Sequence, residues 1–236
     1  MISKKISVQL NPLMFLEFEK TFSQKNVDLE TVLGFLCWPG SDHSIDDVKS
    51  RYDYINRISN KLKFAPVEEN LLEKVIWPLR QAKACFVLSN NIGTISICGF
   101  IAEMIVILLF NISAIHVDNK AISLEDQKNM FGDSFENLGQ ARRINVLYGF
   151  KLLDEKKRGI LLEIKRIRNK YMHFLSQKNA NLKKDAKRIF EKTEEIVTLI
   201  IGQEIKNGNF VLNPNLLRYI DEREKEENRS SEKNDA

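Results

Sequence analysis

Three residues that can act on a phosphate group lie close together late in the chain. Arg168, Asn169 and His173 fall within a run of six residues, Arg-Asn-Lys-Tyr-Met-His. An arginine side chain binds phosphate through paired hydrogen bonds and does not lose its charge. Histidine takes up and releases protons near neutral pH, and asparagine can orient either side chain. The run is therefore a candidate site for phosphate chemistry.

The helical wheel of this segment separates its arginine from its histidine. At about 100° per residue, Asn169 and His173 share a polar face, whereas Arg168 lies at the edge of the apolar stripe, about 140° from His173. On one continuous helix, Arg168 and His173 cannot easily hold the same phosphate. A two-fold dimer that brings two copies of the run together, or a break near Lys170, would remove the difficulty. The stripe, which must face the core, consists of Ile160, Ile164, Ile167, Tyr171, Phe174 and Leu175.

Each of these residues also has a purely structural interpretation. A histidine on a polar helix face is often a plain surface residue. An arginine at the edge of an apolar stripe often extends its stem over the core or pairs with a carboxylate. Tyr171 lies in the stripe, and we expect it to pack in the core rather than to stack on a base.

One carboxylate stands in the most apolar segment of the chain, residues 95–110. Glu103 lies at its middle. The segment is shorter than the roughly 20 residues that cross a bilayer, and a charge at its centre costs about 2.5–3.5 kcal/mol on insertion scales. The segment is therefore predicted to be a buried central helix of a soluble bundle. A carboxylate there must be paired or protonated, and we expect Arg168 as its partner. The contact would either orient the Arg168 side chain for phosphate or serve a structural role alone.

Positive charge is concentrated in one part of the chain. Residues 140–190 hold 15 Lys/Arg and 4 Asp/Glu, an excess of 11, although the whole chain carries a net charge of only +4. Such a block suits a polyanionic partner, although solvated helix faces would give the same composition. The residues expected to support RNA binding are Lys165, Arg166, Lys170, Arg142 and Arg143.

Several classes of site are absent from the sequence. The three cysteines form no CxxC pair, and the three histidines form no HExxH or other metal-ligand spacing. No Gly-rich phosphate loop is present, which argues against an NTPase. The first residues do not resemble a signal peptide. We therefore expect a cytoplasmic protein with no metal, no cofactor, no disulfide framework and no membrane segment.

The helix signals are plentiful and predict an all-α fold. Glycine and proline are scarce, at 10 and 5 residues, so long helices are expected. Pro78 lies inside one of them and predicts a kink near Trp77; Trp77 and Trp38 are expected to pack in the core. The predicted helices cover about residues 11–25, 28–37, 44–63, 66–88, 94–110, 124–131, 133–150, 154–177, 181–206 and 213–228.

The second half of the chain resembles the HEPN superfamily of small helical-bundle proteins, many of which are ribonucleases of defence and toxin–antitoxin systems. The likeness is carried by the Arg-polar-x-x-x-His run at 168–173 and by residues 141–153, 76–83 and 97–104, which look like the preceding helices of such a bundle. It covers about residues 70–200. It implies an up-and-down bundle and a homodimer in which the two motifs meet in one cleft.

The resemblance divides the chain and supplies its leading function. Residues 1–65 are expected to form an N-terminal helical extension, 66–207 the HEPN-like bundle, and 208–236 a C-terminal helix with a charged tail. This tail, from Glu222, is expected to be disordered. The resemblance implies a metal-independent endoribonuclease with catalytic Arg168, His173 and Asn169, supported by Glu103 and Tyr171. Its partners would be RNA, a second copy and a cognate antitoxin or regulatory protein. The alternatives are a non-catalytic HEPN module that binds RNA, a nucleotide or a partner protein, and a purely structural helical interaction domain.

Overall fold

A computed structural model describes residues 28–37, 41–58, 68–113, 115–117, 120–172, 181–202, 204–206 and 209–234. Within these ranges the chain forms a helical bundle with two short β-hairpins, His116–Val117 with Lys120–Ala121 and Glu204–Lys206 with Asn209–Val211. The all-α class is thus confirmed. The helices are α1 (Leu29–Leu36), α2 (Ile45–Ile58), α3 (Glu69–Leu71), α4 (Trp77–Val87), α5 (Asn91–Ile112), α6 (Leu124–Phe131), α7 (Gln140–Gly149), α8 (Glu155–Met172), α9 (Leu182–Ile201) and α10 (Pro214–Asn234).

Helix α5 is the centre of the bundle, and α4, α8 and α9 pack around it. Its side chains Ile95, Ile101 and Ile105 are completely buried, as expected for a core helix that is apolar on most of its surface. By length and composition α5 could cross a membrane, with a mean hydropathy of 2.4 over 18 residues, and 56% of that window is buried inside the protein. The predicted central position of this segment is therefore observed.

The start of α5 differs from the prediction. The Asn90 side-chain oxygen accepts a hydrogen bond of 2.9 Å from the Gly93 backbone N–H, so Asn90 is the N-cap. The helix therefore begins at Asn91, before Thr94, where the sequence predicts its start. Thr94 instead donates its hydroxyl proton to the Asn90 carbonyl oxygen at 3.0 Å.

The break predicted near Trp77 is a π-helical turn. Pro78 has no backbone N–H, and its ring crowds the carbonyl four residues earlier. The turn Leu72–Ile76 directly before α4 is π-helical, a local widening that often occurs where the regular hydrogen-bond ladder is interrupted. Trp77 is 53% exposed, so its predicted place in the core is wrong, because it lies on the outer side of α4. Trp38 lies outside the described residues.

The helices at both ends pack on the bundle. Ile55 of α2 is completely buried in the same core as α4 and α5, although we place α2 in the N-terminal extension. Leu216 of α10 is also buried. Helix α10 continues to Asn234, whereas we expected a disordered tail from Glu222. The helix predicted over 11–25 lies outside the described residues.

Helix α9 is shorter than predicted. It ends at Ile201, and the next residue, Gly202, has a φ of +66°, which places it in the left-handed region. Glycine adopts this conformation without steric cost and commonly ends a helix there. The next residues that the structure describes, Glu204–Lys206, form a strand. The sequence predicted that this helix continues past the glycine as far as Lys206.

Candidate functional site

Helix α8 places Arg168, the first residue of the Arg-Asn-Lys-Tyr-Met-His run, against the surface of α5. Its first turn is capped by Asp154, whose side chain accepts a hydrogen bond of 2.8 Å from the Lys157 backbone N–H. Its buried stripe of Ile160, Ile164 and Ile167 follows the predicted period and packs on α5 and α9. Arg168 and Asn169 follow in the last turn. His173 lies outside the described residues, so the structure does not relate its ring to Arg168.

Arg168 pairs with Glu103 of α5, as the sequence predicted. The guanidinium Nη1 of Arg168 donates to Oε1 of Glu103. The two side chains are 20% and 24% exposed, so the pair is largely withdrawn from water but still reaches it. A charge-assisted hydrogen bond of this kind stabilises a fold by about 1.5–3 kcal/mol. Glu103 is thus partly rather than fully buried, and its charge is compensated.

A second arginine approaches the same carboxylate. Nη2 of Arg143, on α7, lies 3.6 Å from Oε2 of Glu103, and the Arg143 side chain is only 8% exposed. Arg143 therefore departs from its predicted role as an RNA contact, because it lies on the buried stripe of α7 with Ile144 and Leu147. Two cations facing one carboxylate leave a local excess of one positive charge. If Arg168 turns towards a phosphate, Glu103 keeps Arg143 as a partner and is not stranded.

Gly99 makes room for Arg168. A Cβ atom added at Gly99 would lie 2.2 Å from Cδ and 2.7 Å from Cγ of Arg168. The aliphatic stem of the arginine therefore lies directly across the α5 backbone at this point. Gly99 and Glu103 are four residues apart on one face of α5, so the glycine admits the stem and the glutamate binds the head. Gly99 was not among the predicted site residues, although a glycine four residues before Glu103 on the same helix face was a usable signal.

Asn169 lies between the arginine and an open groove. The Arg168 Nε donates to Asn169 Oδ1 at 3.4 Å, so the amide contacts the guanidinium. The groove, of about 570 Å³, runs between α8 and α9. The described residues that line it are Leu162, Lys165, Arg166, Ile167, Asn169, Lys170 and Asp185. The structure thus brings three of the five predicted RNA-binding residues and Asn169 into one surface.

Asp185 of α9 organises one wall of this groove. Its Oδ2 accepts hydrogen bonds from Lys170 Nζ at 2.8 Å and from the Tyr171 hydroxyl at 2.6 Å. Burial alone would raise the pKa of the Asp185 carboxyl, but the hydrogen bonds from Lys170 and Tyr171 outweigh it, so this pKa lies below its usual value of 3.8. Burial and the Asp185 contact raise the pKa of Tyr171. Lys170 is therefore tied to a carboxylate.

Tyr171 is half-buried, packs against the core and is held by Asp185. This agrees with the expectation that it does not serve base stacking. Asp185 was not among the predicted site residues, although it is the only acidic residue within the basic segment 183–188. Arg142 is exposed on α7 and is not among the described residues of the groove; its Nη2 lies 3.6 Å from where a Cβ of Gly132 would stand.

Among the described residues, no three His, Cys, Asp or Glu side chains are grouped so that they could hold a metal ion. Comparison of the chain with models of protein families, with curated proteins and with solved structures found no match.

Proposed function

We propose that this protein is a cytoplasmic, metal-independent endoribonuclease of the HEPN type that acts as a homodimer in a defence or toxin–antitoxin setting. One observation carries the proposal. Arg168 is held by Glu103 and Asn169 beside a groove to which Lys165 and Arg166 bring positive charge. His173 follows within the next five residues of the chain. A phosphate binder, a proton-transfer group and a basic surface are therefore close along one segment.

The proposed reaction needs only side chains and the ribose 2′-hydroxyl. His173 of one copy removes the proton from the 2′-hydroxyl, and the 2′-oxygen attacks the adjacent phosphorus atom. The bond from phosphorus to the 5′-oxygen breaks, and His173 of the second copy donates a proton to that oxygen. Arg168 stabilises the charge on the phosphate oxygens in the transition state. The products are a 2′,3′-cyclic phosphate and a 5′-hydroxyl.

An exposed apolar surface next to the pair supports the dimer. Trp77 of α4 is 53% exposed and Phe100 of α5 is 41% exposed, and with Pro78 and Ile97 they line a shallow depression. Exposed aromatic residues are enriched where proteins associate. Phe100 directly follows Gly99, on which Arg168 lies. A second copy seated on this surface would bring two Arg168 side chains towards one seam, as a composite site requires.

The test is cleavage of structured RNA in EDTA by the wild type, His173→Ala and His43→Ala, with the cut ends mapped. His43 is exposed and lies before α2, so its variant controls for the loss of a histidine. We expect His173→Ala to cleave about 10²–10⁴ times more slowly, with RNA affinity nearly unchanged, and His43→Ala to cleave like the wild type. Equal cleavage by all three proteins would refute the assignment. A monomer by light scattering at micromolar concentration would refute the composite site.

A second candidate is favoured by one specific contact. In the structure the Arg168 guanidinium binds Glu103 rather than facing the α8/α9 groove, as it would in a module whose arginine is structural. Such a non-catalytic HEPN module would bind RNA, a nucleotide or a partner protein through Lys165 and Arg166. Tight RNA binding without cleavage by the wild type would select this candidate.

A further inference from the structure

A second basic groove lies on the other flank of α9. It has a volume of about 560 Å³ and is formed where α2, α4 and the first turns of α9 meet. Its described lining includes four cationic residues and no carboxylate. The residues that matter for its chemistry are Arg51, Tyr54, Phe86, Lys183, Lys184 and Lys187.

Internal contacts hold the inner wall of this groove in place. Arg51 Nε donates to the Val87 carbonyl oxygen at 2.6 Å, where the negative end of α4 favours a cation. The Tyr54 hydroxyl donates to Glu191 Oε1 at 2.9 Å. The Lys187 ammonium stands 4.3 Å from the centre of the Tyr54 ring, an attractive cation–π distance. The wall is therefore fixed before any ligand arrives.

The outer rim carries uncompensated charge. Lys183 and Lys184 are exposed, and within the part of the chain that the structure describes neither forms an ion pair. The Tyr54 ring is already covered by Lys187, which leaves poor access for a stacked base. The groove thus offers cations rather than an aromatic platform. Such a surface can bind the phosphate backbone of a nucleic acid of any sequence, but it is not suited to recognising a particular base.

The two grooves border the same turns of α9. Asp185 faces α8 through Lys170 and Tyr171, whereas Lys187 faces α2 through Tyr54. A helix with its side chains is about 10–12 Å wide, a distance that a few nucleotides span. A strand lying in the α8/α9 groove therefore reaches the second groove by crossing the start of α9.

We propose that this second groove binds the phosphate backbone of the same RNA strand that occupies the α8/α9 groove. The inference rests on the proposed function for its choice of RNA as ligand. Lys183 and Lys184 form the outer phosphate contacts, and Arg51 and Lys187 form the inner ones. The added contacts raise affinity for long strands without reading their sequence.

The test measures binding of 2′-O-methyl RNA, which lacks the attacking hydroxyl and stays intact, to the full-length protein over a range of salt concentrations. The variants are Lys183→Ala/Lys184→Ala and the control Lys128→Ala/Lys225→Ala, which removes the same charge from exposed residues of α6 and α10. Each phosphate contact on a single strand contributes about 0.7 to the slope of log K against log salt. We expect the first variant to lower this slope by about 1–1.5 and to weaken binding of a 20-nucleotide strand about tenfold in 0.1 M salt, with the control within twofold of the wild type.

Strand length separates this proposal from simple charge attraction. A four-nucleotide strand fits one groove only, so its affinity should fall much less than that of the long strand. An unchanged slope for Lys183→Ala/Lys184→Ala, or equal losses in both double variants, would overturn the second subsite. Binding is measured here without cleavage. A protein that never cleaves RNA but shows the expected slopes would therefore refute the proposed ribonuclease activity and still support RNA binding by the second groove.

Discussion

Replacing Gly99 by alanine tests the packing on which the candidate site depends. The new methyl group would lie 2.2 Å from Cδ and 2.7 Å from Cγ of Arg168, far inside van der Waals contact. Even Cβ of Arg168 would lie only 3.2 Å away, so turning the end of the side chain cannot relieve the clash. Arg168 must adopt another rotamer, or α5 and α8 must move apart.

The size of the effect follows from two opposing contributions. Replacing glycine by alanine inside a helix stabilises it by about 1 kcal/mol. Overpacking a well-filled interface costs about 1–3 kcal/mol, and displacing Arg168 removes a charge-assisted hydrogen bond of similar size. Arg143 remains beside Glu103 and limits the loss. We therefore expect Gly99→Ala to lower the free energy of unfolding by about 1–2 kcal/mol.

Gly159 provides the matched control. It lies inside α8 and is exposed, and apart from its chain neighbours and the backbone of its own helix no atom lies within 4 Å of the position that its Cβ would occupy. Gly159→Ala should therefore stabilise the protein by about 0.5–1 kcal/mol. Urea denaturation followed by circular dichroism gives both values. If Gly99→Ala proves as stabilising as Gly159→Ala, Arg168 does not lie across α5 and the geometry of the site is wrong.

Two further substitutions test the charges around Arg168 and Asp185. In urea denaturation, Glu103→Gln should lower the free energy of unfolding by about 1 kcal/mol and Glu103→Ala by about 2–3 kcal/mol. Glutamine keeps a hydrogen bond to Arg168, whereas alanine leaves two arginines facing each other. Equal losses in the two variants would contradict the pairing. The pKa of Asp185 is lowered in the folded state, so its stabilising contribution is present above about pH 4 and is lost as the pH falls through the folded-state pKa. Asp185→Asn should therefore be less stable than the wild type at pH 7, with the difference shrinking as the pH falls below about 4. A difference that does not change with pH would contradict the assigned contacts.

Local signals predicted most helices because one or two residues decide where a helix starts. The Asp28 side chain caps α1 by accepting from the Thr31 N–H at 2.8 Å, at the residue where the sequence predicted the helix to start. Ser123 and Asp126 cap α6 reciprocally. The prediction failed where two good caps compete, as for Asn90 and Thr94 before α5. Asparagine and threonine are both favoured at the N-cap, so the local sequence does not decide between the two starts.

The site was predictable only where a physical penalty demanded a partner. A carboxylate in the apolar α5 must be paired or protonated, and an arginine at the edge of an apolar stripe often pairs with a carboxylate. Together these two arguments led from Glu103 to Arg168. No energetic penalty in the sequence distinguished Arg142 from Arg143. In the structure, Arg143 lies on the buried stripe of α7 with Ile144 and Leu147, and its spacing from these two residues was a signal that could have identified it. The exposure of Trp77 could not be predicted from the sequence, because a tryptophan can pack in the core or lie on an exposed contact surface, and residue type alone does not distinguish the two.

The arrangement of charge around α9 bears on whether the basic block is a set of solvated faces or a surface for a polyanion. Where α8 packs on α9, two of the positive charges have carboxylate partners: Asp185 binds Lys170, and Glu163 pairs with Arg188. At the open rims the described structure gives Lys165, Arg166, Lys183 and Lys184 no carboxylate partner. Solvated faces with no ligand gain little by keeping like charges together, since neighbouring carboxylates would reduce their repulsion. Uncompensated lysine and arginine on both flanks of one helix is the distribution that a strand of phosphates would neutralise, and its binding should weaken steeply as salt is added.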